Sequence, residues 1–305
     1  MNKDFISLKD LTPEEILKLL NVSARLKKNR LKSNVLQGKT IGLIFQKPSN
    51  RTRVSFEVGV TQLGGSCIYL GPEEINLGVR ETTSDIAQTL SRYLHGIVAR
   101  TFSHQDVVDL AKYATIPVIN GLSDLFHPCQ ALADIFSIQE KFGKLKGLKL
   151  AYVGDGNNVC HSLMVACSKV GLHMKIATPK GYEPMREIQT LTQLFAKKSG
   201  SKISVTASAQ AAVQNADIIY SDTWVSMGQE EETKKRLNDF KGFQINADLV
   251  KNASKDYIFM HCLPAHRGQE VTEQIIDGKH SIIFDQAENR LHTQKAILMF
   301  LFEKK

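Results

Sequence analysis

The chain has 305 residues, about twice the length of a typical single domain, and is expected to fold as two. Its hydrophobic content of 42% and charged content of 23% exclude a disordered or collagen-like chain, and no apolar run reaches the ~18 residues that a membrane-spanning helix needs. The formal net charge of +8 invites an anionic partner, yet much of the excess lies in short runs, Arg25 to Lys28 and Lys234 to Arg236, that read as solvated helix faces.

In chain order, the stretch Met1 to Asp10 lacks the apolar core of a signal peptide, which predicts a soluble, cytoplasmic protein. The five cysteines, Cys67, Cys129, Cys160, Cys167 and Cys262, contain no C-x-x-C pair. They fit a reducing compartment better than a disulfide framework or a zinc ribbon. Thr12-Pro13-Glu14-Glu15 predicts the first helix, with Thr12 as cap, Pro13 in the first turn and Glu15 closing a capping box. Strands are predicted at Thr40 to Phe45, Cys67 to Leu70, Ile97 to Ala99, Ile116 to Ile119, Leu148 to Val153, Met174 to Ala177, Ile203 to Thr206, Ile218 to Ser221, Ile258 to His261 and Ser281 to Phe284. Short apolar runs alternating with amphipathic segments are the pattern of an α/β protein with mainly parallel sheets flanked by helices. A further helix is predicted from Pro128 to Gly143. The polar, glycine-bearing stretch Lys141 to Gly147 then predicts a boundary between domains 1–143 and 144–286. The last helix, 287–305, carries an apolar face at Leu291, Leu298 and Leu301 and fits either domain by its pattern.

Five segments are candidates for chemistry. Phe45 to Arg53 lies between a strand and a helix, and offers Ser49, Asn50, Arg51 and Thr52 at the helix N-terminus. Free backbone N–H groups, the helix dipole, hydroxyls and guanidinium groups together suit a small phosphorylated ligand, although a plain capped helix fits equally well. The segment lacks the G-x-x-x-x-G-K-[ST] pattern of a nucleotide loop. Phe126-His127-Pro128-Cys129-Gln130 brings a histidine and an amide to a second helix N-terminus, where the pair can polarise a carbonyl oxygen. Arg100, at a strand end, stands where α/β proteins hold ligands, with a plain surface arginine as the alternative. Met260 to Gly268 contains His261, Cys262 and His266, too few ligands to close a structural metal site, and no metal is expected. Gly154 to Val159 opens like a dinucleotide fingerprint, but Val159 replaces the third glycine and the second strand ends in Thr178-Pro179-Lys180 with no acidic residue. Asp222 to Gly228 supplies a carboxylate at a strand tip that suits an ammonium group.

Taken together, these segments resemble the ornithine carbamoyltransferase branch of the aspartate/ornithine carbamoyltransferase family, from Phe45 through Arg290 and in the right order. Ser49 to Arg53 is similar to the family's S-T-R-T-R phosphate loop, His127 to Gln130 to its H-P-x-Q, and His261 to Pro264 to its H-C-L-P. The resemblance implies two α/β domains, a carbamoyl phosphate domain and an ornithine domain, with the C-terminal helix packing back on the first. It implies that Ser49, Asn50, Arg51 and Thr52 hold the phosphate, and that Arg100, His127, Gln130 and Arg290 hold the carbonyl end. Asn158, Asp222, Ser226 and Met227 would bind the amino-acid end of ornithine, while Cys262 and the carbonyls of Cys262 and Leu263 would orient its side-chain amine. It also implies a homotrimer whose neighbouring subunit supplies the loop around Asn76, Leu77 and Gly78, no cofactor, and neither nucleic acid nor membrane as partner. Asn50 stands where the family usually has threonine, and Asn76 where relatives commonly carry glutamine or histidine.

Three other readings stay open on the residues. A sibling enzyme acting on putrescine or an acylated ornithine would share the phosphate loop but would not need Asp222 and Ser226 for a free amino-acid end. An NADP-dependent dehydrogenase would rest on Gly154, Gly156 and Lys180. An RNA-binding protein would rest on the net charge, although one Trp and 7% aromatic residues give no stacking platform.

Overall fold

A computed structural model of the chain describes residues 4–29, 31–75, 77–226, 228 and 230–303. By its contacts the chain divides into two compact units, Met1–Phe136 with Glu288–Lys305, and Ser137–Ala287. Both passages between the units lie within helices, Pro128–Phe142 and Ile283–Phe302.

The first unit is built on β1 (Thr40–Phe45), β2 (Ser66–Leu70), β3 (Gly96–Arg100) and β4 (Val118–Leu122), all parallel in the order β2-β1-β3-β4. β1 from Ile41 onward and the whole of β3 are buried because both faces of the sheet are covered there. β4 starts two residues later than its sequence suggests. Pro117 has no N–H for the ladder and contributes only its carbonyl, to Ile97 N–H at 2.8 Å, while Val118 N–H is taken by Asp4 Oδ1 at 2.8 Å. The capping box at Thr12 forms as expected, with Thr12 N–H donating to Glu15 Oε2 at 2.8 Å and Glu15 N–H to Thr12 Oγ1 at 3.2 Å. The C-terminal helix packs on this unit. Lys27 Nζ donates to Asn289 Oδ1 at 2.8 Å, Lys295 Nζ to Gln62 Oε1 at 2.7 Å, and Phe302 fills the space beside Gly96.

The second unit is built on β5 (Lys149–Val153), β6 (His173–Ala177), β7 (Ile203–Thr206), β8 (Ile218–Ser221) and β9 (Ile258–His261), parallel in the order β7-β6-β5-β8-β9. The strand expected at Ser281 to Phe284 is absent. Ser281 makes a single bridge to Phe259, and the last helix already begins at Ile283, four residues before the expected start at Ala287. A short apolar run does not distinguish a buried strand from the buried first turn of a helix, and here Phe284 is turned outward. Among the described residues no helix is long and apolar enough to cross a membrane.

The order of the strands fixes where ligands can sit. In the first sheet the chain winds outward from β1 to β2 and then switches direction to β3. In the second it winds from β5 to β7 and switches to β8. Crevices open outside the carboxyl ends of the two strands flanking each switch. Those ends are Phe45 and Arg100 in one unit, Val153 and Ser221 in the other.

Leu298 is fully buried on the C-terminal helix. Leu298→Ala is expected to cost about 2–5 kcal/mol by cavity formation, read as a lower urea midpoint with unchanged far-ultraviolet circular dichroism.

Candidate active site

In the first unit, β1 delivers the chain to Ser49, which caps the helix Asn50–Gln62 by accepting from Thr52 N–H at 3.2 Å. Asn50 Oδ1 accepts from Arg51 N–H at 2.7 Å. Two of the N–H groups that a helix start leaves over are therefore satisfied by the chain's own side chains. Thr52 is buried, and its Oγ1 accepts from Arg290 Nη2 at 3.1 Å. The other arm of that guanidinium, Nη1, donates to Gln130 Oε1 at 2.6 Å, and Gln130 Nε2 donates to Asp134 Oδ1 at 2.8 Å. Gln130 and Asp134 are four apart on the helix Pro128–Phe142, so they share one face. Asp134 thereby fixes the amide with its oxygen toward Arg290. Asp134 was not singled out in the sequence, where only its four-residue spacing from Gln130 points to it.

Arg100 closes β3. The pairing of β3 with β4 shifts between Ala99 and Arg100, an irregularity of the kind that re-aims a side chain at a strand end. Arg100 is buried, which removes the reading of it as a surface residue. His127 is also buried, at the cap of its helix, with its carbonyl accepting from Ala131 N–H at 3.2 Å. Burial, then the positive charges of Arg290, Arg100 and Arg51, push its imidazole well below the ordinary histidine range. The ring is neutral at physiological pH, so it meets a ligand as a dipole beside a cluster of guanidinium groups. Cys129 is buried. Burial pushes its thiol up to about 12, and Sγ faces Asn120 O at 3.4 Å.

In the second unit, β5 ends in the turn Gly154 to Asn157. A Cβ on Gly156 would meet Pro184 N at 2.3 Å and Tyr182 O at 2.6 Å. This glycine is therefore demanded by the backbone crossing over it, and a nucleotide pyrophosphate is not needed to explain it. Asn157 caps the helix Asn158–Val170, its Oδ1 accepting from Val159 and Cys160 N–H, while its Nδ2 donates to Asp222 Oδ2 at 2.7 Å. Asn157 carries no signal in the sequence beyond its place as the helix cap. Asn158 lies one residue further on, as the first residue of the helix. Asp222 is buried beyond the end of β8, accepting also from Thr223 N–H at 2.8 Å and from Cys262 Sγ at 2.9 Å. Ser226 is half-buried in the segment that follows. Asn76 and Met227, both expected in the site, lie outside the described residues.

The turn after β9 is held from below. His261 Nδ1 accepts from Leu263 N–H at 2.9 Å, so the ring proton sits on Nε2, 3.4 Å from the buried Glu270 Oε1. Leu263 takes a left-handed conformation, φ 59°, and Cys262 and Leu263 are half-buried beside Asp222. Asp222, His261 and Cys262 offer ligand atoms within 4.8 Å of one another. The Nδ1 lone pair of His261 and the thiol of Cys262 are both engaged in the hydrogen bonds just described. A further expectation fails in this unit. Arg236, read as part of a solvated run, is buried, with Nη1 donating to Asp155 Oδ2 at 2.8 Å and to Trp224 O at 3.1 Å. Lys234 and Lys235 are exposed as expected. A single inward residue on a charged helix leaves no mark in composition.

One unit thus holds a buried cluster of guanidinium groups and a neutral imidazole, and the other a carboxylate joined to a thiol and an amide. This is the composition of a two-domain α/β transferase. The chain belongs to the aspartate/ornithine carbamoyltransferase family. Residues 3–140 match the family's carbamoyl-P binding domain and residues 146–301 its Asp/Orn binding domain. It is 56% identical over 301 residues to an ornithine carbamoyltransferase of Bacillus cereus, covering 99% of this chain and 95% of that protein. With the Pyrococcus horikoshii enzyme of the same name it shares 52% over 302 residues, covering 98% and 95%. The solved ornithine carbamoyltransferase of Pyrococcus furiosus superposes with a TM-score of 0.97 at 51% identity, covering 100% of this chain and 98% of that one.

The depressed His127 makes stability depend on pH. Below about pH 6.5 the unfolded chain takes up a proton that the native ring does not bind, so stability falls as the solution is acidified. His127→Asn is expected to flatten the fall in Tm between about pH 7 and pH 5, measured by scanning calorimetry against the parent chain.

Proposed function

We propose that the chain transfers the carbamoyl group of carbamoyl phosphate to the side-chain amine of L-ornithine, giving L-citrulline and phosphate, in arginine biosynthesis. The observation that carries this reading is the Asp222–Cys262 contact at 2.9 Å in the second unit, together with Asn157 on the same carboxylate at 2.7 Å. A buried carboxylate that accepts only from neutral donors among the hydrogen bonds described keeps its charge available for an ammonium group, as a free amino-acid end requires. Putrescine has no such end.

In this assignment domain 1–143, with the helix 287–305, holds carbamoyl phosphate, and domain 144–286 holds ornithine. Ser49, Asn50, Arg51 and Thr52 take the phosphate. Arg100, His127, Gln130 and Arg290 take the carbonyl end. The amino-acid end is bound by Asn158, Asp222, Ser226 and Met227, and the attacking amine is oriented by Cys262 and by the carbonyls of Cys262 and Leu263. The neutral amine attacks the carbonyl carbon, a C–N bond forms, and the oxyanion is held by the guanidinium groups and the His127 dipole. The C–O bond to phosphate then breaks, and the proton lost by the amine leaves with the phosphate. No cofactor, metal, nucleic acid or membrane enters this scheme; positioning and fixed charge carry the rate.

Assembly as a cytoplasmic homotrimer belongs to the same reading, with Asn76 reaching a neighbour's phosphate site. Val54 and Val58, one turn apart, and Ile68 on the edge strand β2 are exposed apolar residues that a subunit contact would cover.

The test is citrulline formation by the purified protein with L-ornithine, putrescine, N-acetylornithine and L-aspartate at equal concentration. Preference for ornithine is expected; preference for another amine overturns the acceptor assignment. Because an alkylammonium of this kind has a pKa near 10.4, kcat/KM for ornithine is expected to rise steadily from neutral to alkaline pH. A flat profile on folded protein contradicts attack by the neutral amine. Asn50 Oδ1 competes with phosphate for the Arg51 N–H, so Asn50→Thr is expected to lower the KM for carbamoyl phosphate about fivefold, the worth of roughly 1 kcal/mol.

A further inference from the structure

β9 is the edge strand of the second sheet, and Cys262 follows directly from its last residue. Its inner side is paired with β8. On its outer side Phe259 N–H donates to His280 O at 2.8 Å and its carbonyl accepts from Ile282 N–H at 3.0 Å. There the neighbouring segment turns into the last helix, so no strand continues alongside His261, whose N–H is the next donor on that edge. The side chain of Gln286 fills this place. Its Oε1 accepts from His261 N–H at 2.9 Å, fully buried, and its Nε2 donates to Tyr220 Oη at 3.2 Å. Tyr220 stacks on Tyr152, with ring centroids 5.8 Å apart and planes 22° apart, and Tyr152 Oη donates to Asp155 O at 2.9 Å. Gln286, Tyr220 and Tyr152 are each at most 1% exposed.

This string touches the ends of β9, β8 and β5, the three strands that lead into Cys262, Asp222 and Asn157. An unbonded N–H at the end of an edge strand, two residues before the left-handed Leu263, would leave the Cys262 thiol free to drift from Asp222. We infer that Gln286 is a positioning residue for carbamoyl transfer, standing in for a missing strand so that the His261–Cys262 step keeps its place beside Asp222. The inference rests on the acceptor-site reading above and deepens it. Gln286 itself touches no substrate; it acts through the His261 backbone and Tyr220.

The experiment compares Gln286→Met, which removes both hydrogen bonds at similar volume, with Gln286→Glu, which keeps an acceptor for His261 N–H and can accept from Tyr220 Oη. Gln286→Met is expected to raise the KM for ornithine and lower kcat by roughly tenfold each, with the KM for carbamoyl phosphate within about twofold. It is also expected to speed alkylation of Cys262 by iodoacetamide several-fold, followed by mass spectrometry of the Cys262 peptide. Gln286→Glu is expected to return both readouts close to the parent. A Gln286→Met protein with parental ornithine KM and parental Cys262 alkylation overturns the inference. So does a variant in which both KM values move together with a lowered Tm and the glutamate gives no rescue. Should Gln286→Met not fold, Tyr220→Phe removes the second link at constant shape, and a parental alkylation rate there counts against the string. Asp222→Asn serves as the reference. If it leaves the ornithine KM unchanged the acceptor-site reading fails, while the alkylation rate still decides the role of Gln286.

Discussion

The guanidinium of Arg290 is the constraint on which the first unit's chemistry depends. It comes from the last helix of the chain and is 2% exposed, so its desolvation costs several kcal/mol. That cost is offset by Gln130 Oε1 at 2.6 Å and Thr52 Oγ1 at 3.1 Å, with Asp134 behind Gln130. These bonds join the phosphate loop, the His127 helix and the C-terminal helix at one point. Arg100 and His127 are buried in the same unit, and the low basicity of His127 follows first from its burial and then from its positive neighbours. An arrangement with this much positive charge out of water gains most when an anion arrives, and a bound anion stabilises the fold in return.

The second unit holds a buried carboxylate, Asp222, in a different setting. Asp222 receives an amide, a backbone N–H and a thiol, none of which neutralises it. Its neighbour Asp155 is by contrast matched with Arg236 at 2.8 Å, although burial still raises its carboxyl above the usual range. The difference between the two aspartates separates structure from function here. One is closed by its partner and braces the turn before Asn157. The other is held in place by neutral donors among the hydrogen bonds described.

Much of this was legible in the sequence because the fold is regular. Nine of the ten expected strands form, since a parallel sheet covered on both faces leaves continuous apolar runs between helix caps. The helix starts at Ser49 and Pro128 were legible for the same reason, since a capping hydroxyl and a proline mark them after strand ends. What was not legible depends on contacts distant in the chain. Ser281 to Phe284 reads as a strand until the helix beyond it is known to start at Ile283. Arg236 looks like its lysine neighbours until Asp155, 81 residues away, is brought to it. Gly156 looks like a nucleotide fingerprint, and only the crossing backbone of Tyr182 to Pro184 explains it. Gln286 and Glu270 carry no motif at all, because their work is done on the backbone and ring of His261.

The most direct measurement is the affinity for carbamoyl phosphate by isothermal titration calorimetry, at a temperature low enough to keep the ligand intact, for the parent chain and for Arg290→Lys. Lysine keeps the charge but cannot bond Gln130 and Thr52 at once through a planar fork. If the anion site is organised by that guanidinium, Kd rises by roughly ten- to a hundredfold, the equivalent of about 1.4 to 2.7 kcal/mol, while the far-ultraviolet circular dichroism stays unchanged. An unchanged Kd in a folded Arg290→Lys protein would contradict it.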